Sequence, residues 1–71
     1  MADSSPLRVE SELEEDGRWL AAVPDLPGVM AYGATQEEAT RKAKSVALQI
    51  LADMIENREE LPAPLDYLFA T

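Results

Sequence analysis

The 71-residue chain contains no cysteine and no histidine. Disulfides, thiolate zinc sites and imidazole ligands are therefore excluded, and with them the commonest nucleophile–base pairings of hydrolytic enzymes. Basic residues are scarce too. Six Lys and Arg stand against fourteen Asp and Glu, giving a net charge of −8 and a pI near 4.2. Phosphate backbones are bound by neutralising their charge with Lys and Arg, so direct nucleic-acid binding is not expected of so acidic a protein. An anionic membrane surface is disfavoured on the same ground. No apolar run approaches the length of a membrane span, and Met1 to Pro6 carries Asp3 and no basic residue, unlike a targeting segment. A cytoplasmic location is the resulting expectation.

Large apolar side chains are also few. Hydrophobic residues make up 46% of the chain, but eleven of them are alanine. Ordering costs on the order of 1.5 kcal/mol per residue, so a chain this short comes close to balance unless a staple, a metal or a partner assists it. With staples and thiolate or imidazole metals excluded, self-association as a dimer or tetramer is the expected supplement. The length suits one domain over residues 1–71. Its acidity has two readings: it keeps a small protein soluble, or it steers a basic macromolecule to the surface.

Leu7 to Glu14 alternates, with Leu7, Val9, Ser11 and Leu13 on one face and Arg8, Glu10, Glu12 and Glu14 on the other. This period of two predicts a half-buried strand. Asp16-Gly17 supplies the positive φ of a tight hairpin, and Arg18 to Val23 returns as a second strand. Register sets which face is buried. A three-residue loop with Gly17 left-handed pairs Leu13 with Trp19, Ser11 with Ala21 and Val9 with Val23, placing Trp19 in the core and Glu14 across from Arg18. A two-residue turn would bury Leu20 and Ala22 instead. The first alternative is preferred because it buries the larger side chains.

Pro24-Asp25-Leu26-Pro27-Gly28 ends the second strand as a rigid link. Val29 to Gly33 reads as a third strand, with Val29 and Ala31 on one face and Met30 and Tyr32 on the other. Thr35-Gln-Glu-Glu38 is a capping box, in which Thr35 accepts from the amide three residues on and Glu38 reaches back to the Thr35 amide. The helix it opens carries a stripe of Ala39, Ala43, Val46, Ala47, Ile50, Leu51, Met54 and Ile55, running to about Asn57. Alanines in the first half of the stripe predict the closest approach to the sheet there. Glu37 with Arg41 and Glu38 with Lys42 add i,i+4 pairs. Leu48 and Ala52 widen the stripe, either as a self-association surface or as a seat for the carboxyl-terminal segment. Leu61-Pro62-Ala63-Pro64 ends the helix, and Asp66 to Ala70 is a candidate last strand. The predicted class is α+β: a three-stranded antiparallel sheet, one covering helix and a short strand beside the first, in the order β-β-β-α-β.

Catalytic candidates are reduced to carboxylates, serines, lysines and tyrosines. Ser11 and Ser45 lack an evident base and read as structural. Glu10, Glu12 and Asp66 could in principle hold a hard cation, but alternating glutamates fit a solvated face better, and neither metal nor cofactor is expected. The tentative partner-binding residues are Trp19, Leu20, Asp25, Met30 and Tyr32, with Trp19 equally readable as core. Asp16, Gly17, Pro24, Leu26, Pro27, Gly28, Thr35 and Glu38 are the expected structural framework.

The ordered set Glu12-x-x-x-Asp16-Gly17-x-Trp19-x-Ala21-x-x-Pro24-Asp25-Leu26-Pro27-Gly28, followed by Tyr32-Gly33-x-Thr35-x-Glu37-Glu38-Ala39, resembles the HicB-like antitoxin family, with Leu61-Pro62-x-Pro64 as its exit. The resemblance implies a partial ribonuclease-H-like fold lacking that fold's catalytic set. It also implies a partner, a small basic HicA-like toxin that cleaves mRNA and is neutralised by binding. Many members continue into a DNA-binding module, whereas this sequence stops at Thr71, so a stand-alone, non-enzymatic antitoxin domain is expected. The alternative is a self-associating scaffold or regulatory domain with no toxin.

Overall fold

The computed structural model describes residues 7–62 and 65. Strands β1 (Glu10–Leu13), β2 (Trp19–Ala22) and β3 (Met30–Gly33) precede one helix, α1 (Gln36–Glu56). The sheet is antiparallel in the order β1-β2-β3, and α1 lies across one of its faces.

The hairpin takes the three-residue loop. Leu13 pairs with Trp19 and Ser11 with Ala21. The Glu14 amide donates to the Arg18 carbonyl at 2.7 Å and the Gly17 amide to the Glu14 carbonyl at 3.0 Å, with Gly17 at φ 88°. A side chain at that φ would be strained, which is why the turn falls at Asp16-Gly17. Asp16 braces the loop by accepting from the Arg18 amide (3.0 Å) and from its Nε (2.8 Å). These contacts, the amide first and the guanidinium second, hold the Asp16 carboxyl below its ordinary pKa.

Two successive turns link β2 to β3. The Leu26 amide donates to the Val23 carbonyl at 3.0 Å and the Val29 amide to the Leu26 carbonyl at 3.2 Å. Pro24 and Pro27 each occupy the second position of a turn, and Gly28 follows Pro27 at φ 83°, the pattern of a type II turn. Closing the segment, the Val23 amide donates to the Val29 carbonyl at 3.2 Å. Leu26, held between the turns, is driven into the core.

The buried residues form two clusters. At the amino end of α1 the contact is small: Ala21, Ala39 and Ala43 are fully buried, with Val9, Trp19 and Ala31 around them. At the other end Val23, Leu26, Val29, Ala47, Leu51 and Leu65 pack together, flanked by Leu7, Val46, Ile50, Met54 and Leu61. The helix comes closest to the sheet where alanines line it, as expected from the stripe. A Cβ placed on Gly33 would lie only 2.5 Å from the Ala39 amide nitrogen.

Thr35 caps α1, its hydroxyl accepting from the Glu38 amide at 3.0 Å. The return contact differs from the expected one. Glu38 Oε1 accepts from the Ala34 amide at 2.9 Å rather than from Thr35, because the extended Thr35 backbone (φ −130°, ψ 161°) brings the preceding amide within reach. That bond first, and then the Lys42 ammonium, lower the Glu38 pKa. The corresponding stability is present above the ordinary glutamate pKa and is lost as pH falls through the lowered value. Glu38→Gln is therefore expected to lower Tm at neutral pH and to flatten the acid limb of a plot of Tm against pH, bringing the two proteins together at low pH. An unchanged acid limb would count against the contact.

Several expectations need correction. The strands are shorter than the alternating segments, and Leu13, expected on the core face, is 59% exposed because α1 begins short of it. Trp19 is half-buried rather than fully enclosed. Among the described residues the ion pairs are Arg8–Glu10, Arg18–Asp16 and Lys42–Glu38. The expected Glu37–Arg41 pair is not among them; Glu14 does sit across from Arg18, whose guanidinium pairs with Asp16. The helix ends at Glu56, within a residue of the expected Asn57, and it ends by a turn of its own rather than at the prolines. Arg58 takes φ 60°, its amide donates to the Ile55 carbonyl (3.2 Å) and the Glu59 amide to the Met54 carbonyl (2.8 Å), a Schellman termination. Glycine usually occupies that position. Arg58→Gly is expected to raise the unfolding free energy by roughly 0.5 to 1 kcal/mol, read as a higher urea midpoint. The candidate last strand, Asp66 to Ala70, lies outside the described residues.

Candidate partner-binding surface

Antiparallel alternation sends every second residue of the sheet away from α1. The register aligns those residues in rows. Glu10, Ala22 and Met30 form one, and Glu12, Leu20 and Tyr32 the next. Met30 is 54% and Tyr32 41% exposed, beside half-buried Leu20 and Ala22. The apolar strip of Leu20, Ala22, Met30 and Tyr32 is thus bordered on the β1 side by two glutamates. A shallow open depression runs over Glu10, Glu12, Leu20 and Ala22.

Arg18 closes one end of this face. Its guanidinium carbon sits 4.3 Å from the Tyr32 ring centroid while Nε holds Asp16, so the cation is engaged on both sides and the ring is fixed in place. Arg18 was not among the expected binding residues. Its signal was nonetheless in the alternation, since Arg18, Leu20 and Ala22 share a face once the register is known.

Of the five tentative partner-binding residues, Leu20, Met30 and Tyr32 are brought together. Trp19 points to the helix side, packed beside Ala21, Ala39 and Ala43. Asp25 is exposed on the turn between Pro24 and Leu26, away from the strip's two rows. Asp16 and Gly17 form the hairpin turn, Pro24, Leu26, Pro27 and Gly28 the double turn, and Thr35 and Glu38 the helix cap, as described above.

Among the described residues no group of three Asp or Glu is placed to hold a metal ion. Asp66, the third residue of the acidic set considered from the sequence, lies outside the described residues. No helix among the described residues is long and apolar enough to cross a membrane.

Fold and surface together define a small α+β protein whose helix covers one sheet face and leaves an acid-bordered apolar strip on the other. A family model described as the HicB-like antitoxin of bacterial toxin-antitoxin systems matches residues 6–67, and the chain belongs to that family. No curated protein and no solved structure gives a significant match.

Proposed function

We propose that the protein is a non-enzymatic antitoxin that binds and masks a small, basic, HicA-like mRNA-cleaving toxin, acting in the cytoplasm. Family membership supports a toxin-antitoxin role. The observation that carries the binding reading is the bare strip of Leu20, Met30 and Tyr32 with Glu10 and Glu12 along its border. An apolar centre with a charged rim is how protein interfaces are built, and the acid rim together with the net charge of −8 complements a cationic RNA-binding surface. In this reading Trp19 acts from beneath, holding β2 against α1, and Asp25 extends the acidic margin. The fold reading adds a short strand beside β1, which completes the partial ribonuclease-H-like arrangement implied by the family.

The test is binding to the purified product of a neighbouring short, basic reading frame. Sub-micromolar affinity at low salt is expected, weakening as salt rises, because charge steering is screened. The double variant Met30→Ala with Tyr32→Ala should lose affinity by about a hundredfold, since truncating two central interface side chains typically costs a few kcal/mol. Tight binding with no salt dependence, and no response to the double variant, would show that another surface is used.

A further inference from the structure

We propose that Arg18 and Asp16 are positioning residues for partner binding: Asp16 aims the Arg18 guanidinium, and Arg18 holds the Tyr32 ring in place on the outer sheet face before a partner arrives. The inference rests on the antitoxin reading and deepens it, by giving the hairpin turn a part in recognition.

The first observation is the register. Leu20 lies opposite Tyr32, and Arg18, two residues earlier on the same face, is the diagonal neighbour of Tyr32 across the β2–β3 pair. A diagonal gap of roughly 7 to 8 Å is spanned by long side chains and not by short ones. Arginine reaches, and its guanidinium carbon stands 4.3 Å from the ring centroid. Tyr32 is an exposed side chain, and one left free to rotate would have to be ordered as a partner binds. Ordering it beforehand removes that cost.

The second observation is that the two oxygens of Asp16 serve different ends. Oδ1 accepts from the Arg18 amide at 3.0 Å and braces the loop, whereas Oδ2 accepts from Arg18 Nε at 2.8 Å and fixes the side chain. The loop does not need the second contact. It is closed by backbone bonds from Glu14 to Arg18 and from Gly17 to Glu14, so the bond to Nε acts on the outer face instead.

The third observation is charge. A bare guanidinium beside the apolar strip would repel a basic partner, but the ion pair with Asp16 cancels it where it stacks. A cation can thus serve a surface that receives cations.

Binding of the full chain to the purified product of the neighbouring short, basic reading frame tests this by the sign of the effect. Arg18→Gln takes the net charge from −8 to −9, which by charge alone would tighten binding to a basic partner. Loss of positioning is expected to weaken it instead by about threefold to tenfold, the range for ordering one interface side chain, mostly as faster dissociation. Asp16→Asn keeps an oxygen for the Arg18 amide and loses the acceptor for Nε. It should weaken binding by a similar factor with an unchanged circular dichroism spectrum, and the loss should persist at high salt, where a pure charge effect is screened. In a Tyr32→Ala background, Arg18→Gln should have no further effect, because the two residues act as one unit. Without any partner, nuclear magnetic resonance should show the Arg18 δ protons shifted upfield by the ring, and the shift should shrink in Asp16→Asn. Unchanged or tighter binding by Arg18→Gln overturns the proposal and leaves the antitoxin reading standing. So does an Asp16→Asn variant that binds like the wild type, an Arg18→Gln effect undiminished in Tyr32→Ala, or an unshifted Arg18 signal. A wild-type chain that does not bind the basic product overturns the antitoxin reading, and this proposal with it.

Discussion

Gly33→Ala is expected to destabilise the protein by about 3 kcal/mol, through overpacking and loss of a helix cap, although it adds a single methyl group and needs no unusual backbone angle. The added carbon would lie 2.5 Å from the Ala39 amide nitrogen and 3.0 Å from the Ala39 Cα and the Glu38 carbonyl carbon. All three are backbone atoms, so no side chain can swing aside and the first turn of α1 must lift. The Thr35 cap and the Glu38 to Ala34 hydrogen bond belong to that turn and are strained together with it. A core of this size rarely supplies more than about 3 to 5 kcal/mol in total, so the variant should be mostly unfolded at moderate urea. Gly28→Ala is the informative comparison: nothing lies within 4 Å of its added carbon, so its cost is left-handed backbone strain alone, about 1 to 2 kcal/mol. Urea titrations followed by far-ultraviolet circular dichroism separate the two. A Gly33→Ala midpoint equal to that of the wild type would mean that the helix and sheet are less closely apposed than described.

Leu26→Ala is expected to cost about 2 to 5 kcal/mol. Leu26 is fully enclosed among Val23, Val29, Ala47, Leu51 and Leu65, and it is delivered there by a double turn that cannot readily collapse to fill the space. Most of the cavity should therefore persist. Leu13→Ala removes the same atoms from a site 59% exposed and should change stability by less than about 0.5 kcal/mol. Thermal unfolding of the pair reads the difference. Similar Tm values for the two variants would contradict the enclosure of Leu26.

What the amino-acid sequence disclosed about this fold follows from where its signals are local. The hairpin register was legible because Gly17 can take a positive φ that few other residues accept, and that choice propagates along both strands to Ser11 and Ala21. The helix start was legible because capping needs a hydroxyl and a carboxylate at fixed spacing. The helix end was legible to within a residue because the apolar stripe stops near Asn57, although the left-handed Arg58 that terminates it carries no such signal in its chemistry. Exposure of Leu13 was equally hidden, since alternation names a face and does not say how far the helix extends over it. The partner surface shows the same division. Met30 and Tyr32 were assigned to one face by period two, while grouping Leu20 with them and removing Trp19 required the register. Arg18 over Tyr32 is a side-chain contact between strands that pattern alone does not specify.

The two clusters along α1 differ in what holds them. The amino end is a seam of alanines closed by backbone proximity at Gly33, and among the described residues it draws on none beyond Ala43. The carboxyl end is filled by long side chains and is completed by Leu65, which arrives from beyond the helix. One helix therefore spans two unlike units that share Val9, and their separate opening is the expected result. Native-state hydrogen exchange should show amides near Ala43 opening with the hairpin, and those near Leu51 exchanging whenever the chain around Leu65 lifts away. Any protein or protease that captures the segment carrying Leu65 would loosen half of this core while leaving the hairpin in place.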